Sequence, residues 1–320
     1  EIYQCDWSSD VCSSDLSINY NNNMLRIFSN FRNAETDPLF EHIRKHFSDK
    51  PFTFFFEKFP SSPEELSFNP YNFLMLLEPN EFFGFHNVAA KNYSLFTAIL
   101  TWSNVVLDNC PNGVNFTFNG RVLDEEFCNK LENKIKNFEV SFLCGDKKLV
   151  EGHKLRHQVY DLENKITIPK KWYYVLEDYD KENQARPGYT AYKKDLSHIP
   201  SNVDPIGYGK RILYEESMFN IVIENVKHNN WYNKIGDNFL SKTIPIYWGC
   251  PNINDFGYDE RGIIFFQTSE QLLQIVNNLT PELYYKMKPY IDYNYEVAKL
   301  DNIEDKISQF FNEFIKLNNI

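Results

Sequence analysis

The 320-residue chain has no run approaching the eighteen or so apolar residues needed to span a bilayer. Its greasiest stretches, Phe52 to Phe56 and Phe73 to Leu77, are strand-sized. Positive charge is also in short supply: 33 Lys and Arg stand against 44 Asp and Glu, a net of −11. Such a surface repels a phosphate backbone, which excludes a broad nucleic-acid binder and leaves only local cationic pockets open. There is no CxxC pair. Cys5, Cys12, Cys110, Cys128, Cys144 and Cys250 are too scattered for a disulfide framework or a zinc site, and fit buried thiols in a reduced, cytoplasmic protein. The sequons at Asn92, Asn115 and Asn278 are then chance matches in an Asn-rich chain. No basic n-region followed by an apolar h-region opens the sequence, so no signal peptide is expected. Gly/Ser linkers, internal repeats and low-complexity blocks are absent as well.

What is abundant is apolar surface. Hydrophobic residues make up 42% and aromatics 17%, with 28 Phe and 20 Tyr, enough for two cores and incompatible with disorder throughout. Residues 1–16 (EIYQCDWSSDVCSSDL) show neither helix nor strand period and read as a non-native or disordered tail, of the kind a translated sequencing adapter leaves. From Met24 onward, strand-like runs alternate with helical ones. Strands are expected at Leu25–Ser29, Phe52–Phe56, Phe73–Leu77, Ala98–Trp102, Glu139–Cys144, Met218–Ile223, Thr243–Trp248 and Ile263–Phe266. Helices are expected at Leu39–His46, Asp124–Lys136, Gly152–Leu162, Lys234–Ser241 and Glu270–Asn278, then from Pro281 behind a Thr280 cap, and over Asp301–Leu317. This alternation predicts an α/β fold with mainly parallel sheets and helices at the C-terminus. The charged helix ending at Lys136 and the apolar strand after it place a joint near Asn137. The expected divisions are 17–137, 138–300, and a helix at 301–320 that packs back on the first domain. Asp178 to Lys194, interrupted by Pro187-Gly188, reads as a surface loop.

Residues Met218 to Phe256 carry the chemistry. A strand runs into polar Glu224-Asn225, a helix opens after Tyr232, and a second buried strand, Ile244-Pro245-Ile246-Tyr247-Trp248, stops at Gly249. In open α/β sheets, ligands bind beyond the carboxyl ends of strands and against helix N-termini, where free N–H groups favour anions. Glu224, Asn225, Lys234 and Gly249 all fall at such ends. Taken alone, Glu224-Asn225 reads first as an ordinary strand-to-turn transition, with Asn bonding its own backbone.

The whole stretch resembles the donor-binding signature of glycosyltransferase family 10, the α-1,3/1,4-fucosyltransferases. Phe219, Glu224, Asn225, Lys234, Pro245, Ile246, Tyr247, Trp248, Gly249, Pro251, Asn252 and Ile253 match that signature in order. One position departs from it. The Glu of the family's T-E-K helix is Asn233 here, in Tyr232-Asn233-Lys234, which puts donor identity and activity in question. Upstream, Gly145-Asp146-Lys147-Lys148 and Gly152-His153-Lys154-Leu155-Arg156 resemble the family's loop and G-x-x-x-R, whose arginine meets the donor diphosphate. A guanidinium can fork two phosphate oxygens where an ammonium cannot. The competing reading is that Lys147, Lys148, Lys154 and Arg156 simply solvate a helix face. Further upstream, Leu76-Leu77-Glu78-Pro79-Asn80-Glu81 follows a strand where the family places a carboxylate facing the acceptor. Glu78, at the strand end, is preferred to Glu81.

The resemblance implies two Rossmann-like domains (GT-B-like) and inverting, metal-independent transfer of a sugar, possibly fucose from GDP-fucose, to a hydroxyl of a glycan or glycolipid. It implies no cofactor. Glu78 would be the base, Arg156 and Lys234 the diphosphate ligands, and Glu224, Asn225, Tyr232, Asn233 and Gly249 nucleotide or sugar contacts, with Tyr232 stacking on the base. The alternative is a protein of the same fold that binds nucleotide or glycan and has lost catalysis. A metal-dependent transferase would use Asp178-Tyr179-Asp180, a match that acidic chains produce readily. Gly207-Tyr208-Gly209 lacks the continuation of a dinucleotide fingerprint, and His153 and His157 have ligand spacing but no third partner, so both are read as solvent-facing or supporting residues.

Overall fold

The computed structural model describes residues 25–30, 37–117, 119–120, 123, 125–131, 134–145, 147–175 and 213–320. The tail at 1–16, the loop Asp178 to Lys194 with its Asp178-Tyr179-Asp180, and Gly207-Tyr208-Gly209 lie outside them. The chain folds as two α/β units, each built on five parallel strands. Unit 1 gathers the described residues up to Asn80, Gly84–Phe116 and Ile307–Ile320; unit 2 comprises Glu81–Phe83 and the described part of Thr117–Lys306. Asn137 lies within unit 2.

In unit 1 the strands β1 (Arg26–Ser29), β2 (Phe52–Phe56), β3 (Tyr71–Leu76), β4 (Ala98–Thr101) and β5 (Gly113–Asn115) lie side by side in chain order. All five residues of β2 are buried, as a strand covered on both faces requires. On one face Phe55 stacks on Phe28 at 5.2 Å and packs with Leu74, Ile99, Ala89 and Val106. On the other, Phe52, Phe54 and Phe73 surround Phe311, with ring centroids 5.6, 4.9 and 4.8 Å away. Helix α1 (Pro38–Phe47) joins this second face through Phe47, 5.6 Å from Phe311. Its start is set by Asp37, whose side chain accepts from Leu39 N at 2.9 Å, and by Pro38 in the first turn. Phe311 belongs to the last helix (Ile303–Asn318), whose residues from Ile307 on are part of unit 1.

In unit 2 the strands are β6 (Asn137–Gly145), β7 (Lys170–Val175), β8 (Ser217–Ile223), β9 (Ile244–Trp248) and β10 (Ile264–Phe265), in the order β10-β9-β8-β6-β7. After β7 the chain crosses to the far side of β6, so the direction of winding reverses between β6 and β8. Open sheets bind ligands at such a reversal, outside the carboxyl ends of the two strands. Among the described residues, the strand order of unit 1 follows the chain without such a reversal. Helix α2 (Glu151–Tyr160) connects β6 to β7 and buries Val159 in a core that also holds Phe142, Phe219 and Ile246. The opposite face carries α3 (Gly236–Leu240) with Tyr232, Ile235, Phe239 and Tyr258 against Val222 and Tyr247. Helix α4 (Pro281–Leu300) begins at Thr280, whose side chain accepts from Leu283 N at 3.2 Å. The helix expected over Asp124–Lys136 is seven residues long, Glu125–Leu131. Among the described residues, no helix is long and apolar enough to cross a membrane.

Candidate functional site

The reversal in unit 2 brings the N-terminus of α2 onto the end of β8. Gly152 N donates to Asn225 O at 2.9 Å. A Cβ at position 152 would stand 1.8 Å from Glu224 O and 2.6 Å from Asn225 O, so a glycine is required for helix and strand end to meet. One turn along, Arg156 grips the same strand end. Its Nε and Nη2 donate to Ile223 O at 3.0 and 2.6 Å, and Nη2 donates to Asn225 Oδ1 at 2.8 Å.

Glu224 points the other way, into unit 2, and is fully buried. Its Oε1 accepts from the backbone N–H of Asn233 at 3.0 Å and of Lys234 at 2.8 Å, with the Tyr247 hydroxyl at 3.4 Å. Glu224 is thus the anchor that seats the loop bearing Lys234. A Cβ at Gly249 would lie 2.4 Å from Glu224 Cγ and 2.3 Å from the Tyr247 hydroxyl, so the glycine leaves space for this carboxylate. The second oxygen, Oε2, is buried and has no hydrogen-bond partner among the described residues.

Arg156 and Lys234 also share an electrostatic field. His153, at the start of α2, is buried, and its Nδ1 accepts from Leu149 N at 3.3 Å. Burial pushes its pKa down to about 3, and the charges of Arg156, Lys234 and Lys147 push in the same direction. Its 3% exposure excludes the solvent-facing reading of this histidine. The Nε2 of His157 lies 3.2 Å from Lys147 O.

Tyr232, expected to stack on a nucleobase, is instead a core residue. It is 2% exposed, its hydroxyl donates to Asp301 Oδ2 at 2.6 Å, and its ring packs on Phe256 and Tyr258 at 5.0 and 6.0 Å. Burial and Asp301 hold its phenol far above the ordinary range. The side chain of Asn233 lies over Gly120, where an added Cβ would meet its Oδ1 at 1.4 Å. Asn119 beside it is 2% exposed and its amide presses on Gly236, with neither polar atom hydrogen-bonded among the described residues. Nothing in the local sequence marks Asn119 or Gly120; only their approach to the 233–236 loop does.

Next to Gly249 a cavity of about 230 Å³ opens at the carboxyl ends of β9 and β10. Trp248, Cys250, Phe265, Gln267 and Lys227 line it, with the Lys227 ammonium bonded to Gln267 Oε1 and Lys227 N donating to Glu151 Oε1 at 3.2 Å. The volume equals that of about eight waters, room for one ring-sized group. Among the described residues, no cluster of three or more His, Cys, Asp or Glu is placed to hold a metal ion.

In unit 1, Glu78 stands half-buried just beyond β3, and its N–H donates to Glu57 Oε1 at 2.7 Å. Glu57, which follows β2, carries no motif in the sequence.

The fold is α/β, and its second unit joins Gly152, Arg156, Glu224 and Asn225 at one strand end. No protein-family model matches the chain, and no curated protein does. Among solved structures, the crystal structure of the GtfA/B complex is similar over 83% of this chain and 56% of its own, with 8% identity and a TM-score of 0.48. The chain therefore spans little more than half the length of that neighbour.

Proposed function

We propose that the protein is a glycosyltransferase that takes a sugar from a nucleoside-diphosphate donor and passes it to a glycan hydroxyl, with inversion and without a metal ion. The observation that carries the reading is the attachment of Arg156 and Lys234 to one strand end. Arg156 is docked on Ile223 O and Asn225, and the adjoining Glu224 holds Lys234 N. The ordered run of signature residues from Phe219 to Ile253 supports it independently.

As the glycosidic bond breaks, negative charge builds on the departing diphosphate. Cations fixed before the reaction stabilise that charge without having to reorganise, and each such donor is worth roughly 10²–10³ in rate. Arg156, Lys234 and Lys147 supply the positive charge, and the N-terminus of α2 adds its dipole. Glu224, being fully buried, acts by seating residues 233 and 234 rather than by touching the donor. Gly249 gives both the carboxylate and the ligand their clearance. Glu78 is assigned as the base that takes the acceptor proton, a role worth about 10²–10⁴ in rate. GDP-fucose is the first donor to test.

Asn233, where the family has a carboxylate, favours a second reading: a protein of this fold that binds nucleotide or glycan without transferring sugar. A thermal-shift series of GDP, UDP, CDP and their sugars, run without metal, tests the class. A ligand at a hundred times its Kd should stabilise by about 2.7 kcal/mol. No stabilisation by any of them would end the proposal, and binding without donor turnover would favour the second reading.

A further inference from the structure

Four strand ends of unit 1 are tied together around one buried carboxylate. Glu57 is 1% exposed and sits just beyond β2 with φ at +47°, in the left-handed region. Its N–H donates to Met75 O of β3 at 2.9 Å, and its carbonyl accepts from the Asn30 side chain beyond β1. Its side chain turns across the sheet edge so that Oε1 accepts from the N–H groups of both Leu77 and Glu78. From the other side, Trp102 at the end of β4 donates its indole N–H to Leu77 O at 3.0 Å. The peptide that carries Glu78 is therefore held by both neighbouring strands.

This arrangement has two costs at one residue. A left-handed backbone is strained for a residue other than glycine, and a turn with no other duty would use Gly or Asn there. Burying a carboxylate adds a desolvation penalty that backbone N–H groups offset only in part. Backbone strain of this kind clusters where geometry serves function. What the strain yields here is a carboxylate turned back onto the next strand end, fixing the orientation of residues 77 and 78.

We infer that Glu57 is a positioning residue for Glu78, acting through the Leu77–Glu78 backbone rather than on substrate. The inference rests on Glu78 being the base. A displacement of about 1 Å at a reacting group can cost 10²-fold in rate, so a clamp on its peptide controls turnover.

The test is a double-mutant cycle of Glu57→Gly and Glu78→Gln, read as nucleoside diphosphate released from GDP-fucose, or from whichever nucleotide sugar the wild type turns over. Glu57→Gly relieves the strain and removes the clamp. It is expected to lower kcat about 10- to 100-fold with donor KM within twofold. Glu57→Gln, which keeps an acceptor for both N–H groups, should stay within about threefold of wild type. The pair Glu57→Gly/Glu78→Gln should be no slower than Glu78→Gln alone, because the clamp has nothing left to position. Hydrogen exchange gives a readout that needs no substrate: the Leu77 and Glu78 amides should exchange faster in Glu57→Gly than in Glu57→Gln. Additive losses in the cycle, or unchanged exchange at the two amides, overturn the positioning role while leaving Glu78 as base. A fully active Glu78→Gln removes the base assignment and the positioning role with it. Should Glu57→Gly melt early, Trp102→Phe replaces it in the cycle, with the same non-additivity expected and additivity again decisive against the role.

Discussion

The guanidinium of Arg156 and the carbonyl of Ile223 are joined twice, through Nε at 3.0 Å and Nη2 at 2.6 Å. The last residue of β8 and the second turn of α2 thereby become one rigid corner, with Asn225 as its third member. Lysine cannot make this joint, since its ammonium presents no planar fork. The corner lies at the reversal of strand order in unit 2, where an open sheet offers its crevice.

Gly152→Ala should damage the corner first. The new Cβ would meet main-chain oxygens at 1.8 and 2.6 Å, neither of which can swing aside as a flexible side chain would. Overpacking of this kind costs about 1–3 kcal/mol and sometimes more. We expect a lowered unfolding midpoint in denaturant and a still larger loss of nucleotide affinity. A variant with native stability and native affinity would show that α2 does not meet β8 as described.

The imidazole of His153 should report the cation cluster directly. With its pKa held near 3, it is neutral in the native protein and charged when unfolded below its ordinary 6.5. Between about pH 3 and 6.5 the unfolded chain thus binds the extra proton, and this group makes stability fall as pH falls through that window. In an NMR titration Arg156→Ala should raise the His153 pKa by removing one of the repelling charges, and a bound nucleoside diphosphate should raise it too. An unmoved titration in both cases would mean that neither the Arg156 charge nor a bound diphosphate acts on this imidazole.

Lys136 makes a second pH prediction, at the other end of β6. It is buried, and burial followed by the charge of Lys134 pushes its pKa down to about 7, although its Nζ donates to Tyr214 O and to Thr243 Oγ1. Glu215 pulls it up and Lys171 pushes it down. From about pH 7 to 10.5 the unfolded chain holds a proton that the folded one has released, so stability from this group rises with pH across that range. Urea midpoints measured at pH 7 and pH 9 should increase, and Lys136→Met should flatten the rise. A rise of equal size in the variant would assign it to another group.

The parts of the fold legible in the sequence are those buried on both faces. Phe52 to Phe56 and Ile244 to Trp248 read as strands because a covered parallel strand needs an unbroken apolar run. β5, three residues of Gly-Val-Asn, and β7, which opens on Lys170-Lys171, carry no such signal in the sequence. Strand order was not legible, because it depends on where each crossover returns. In the site, Gly152, Arg156, Glu224 and Lys234 stand out in the sequence only through the resemblance of their motifs to a known donor-binding signature, since on spacing alone each has an ordinary structural reading. The burial of Tyr232 was not, since the residue that takes its hydroxyl, Asp301, is 69 positions away. Glu57 reads as any polar residue closing a strand, and only its contact with the backbone twenty residues on reveals its part. Lys136, expected to end a charged helix, is instead a buried residue just before β6 whose ammonium finds the oxygens of Tyr214 and Thr243.

The most direct measurement is calorimetric titration of GDP and, in parallel, guanosine into wild type, Arg156→Ala and Lys234→Ala. Charge-assisted hydrogen bonds to phosphate are worth about 1.5–3 kcal/mol, so each substitution should weaken GDP roughly 10- to 150-fold. Guanosine, which has no phosphate, should bind all three proteins alike. If Arg156→Ala and Lys234→Ala hold GDP as tightly as wild type, the two cations do not receive a diphosphate and the account of the site is wrong.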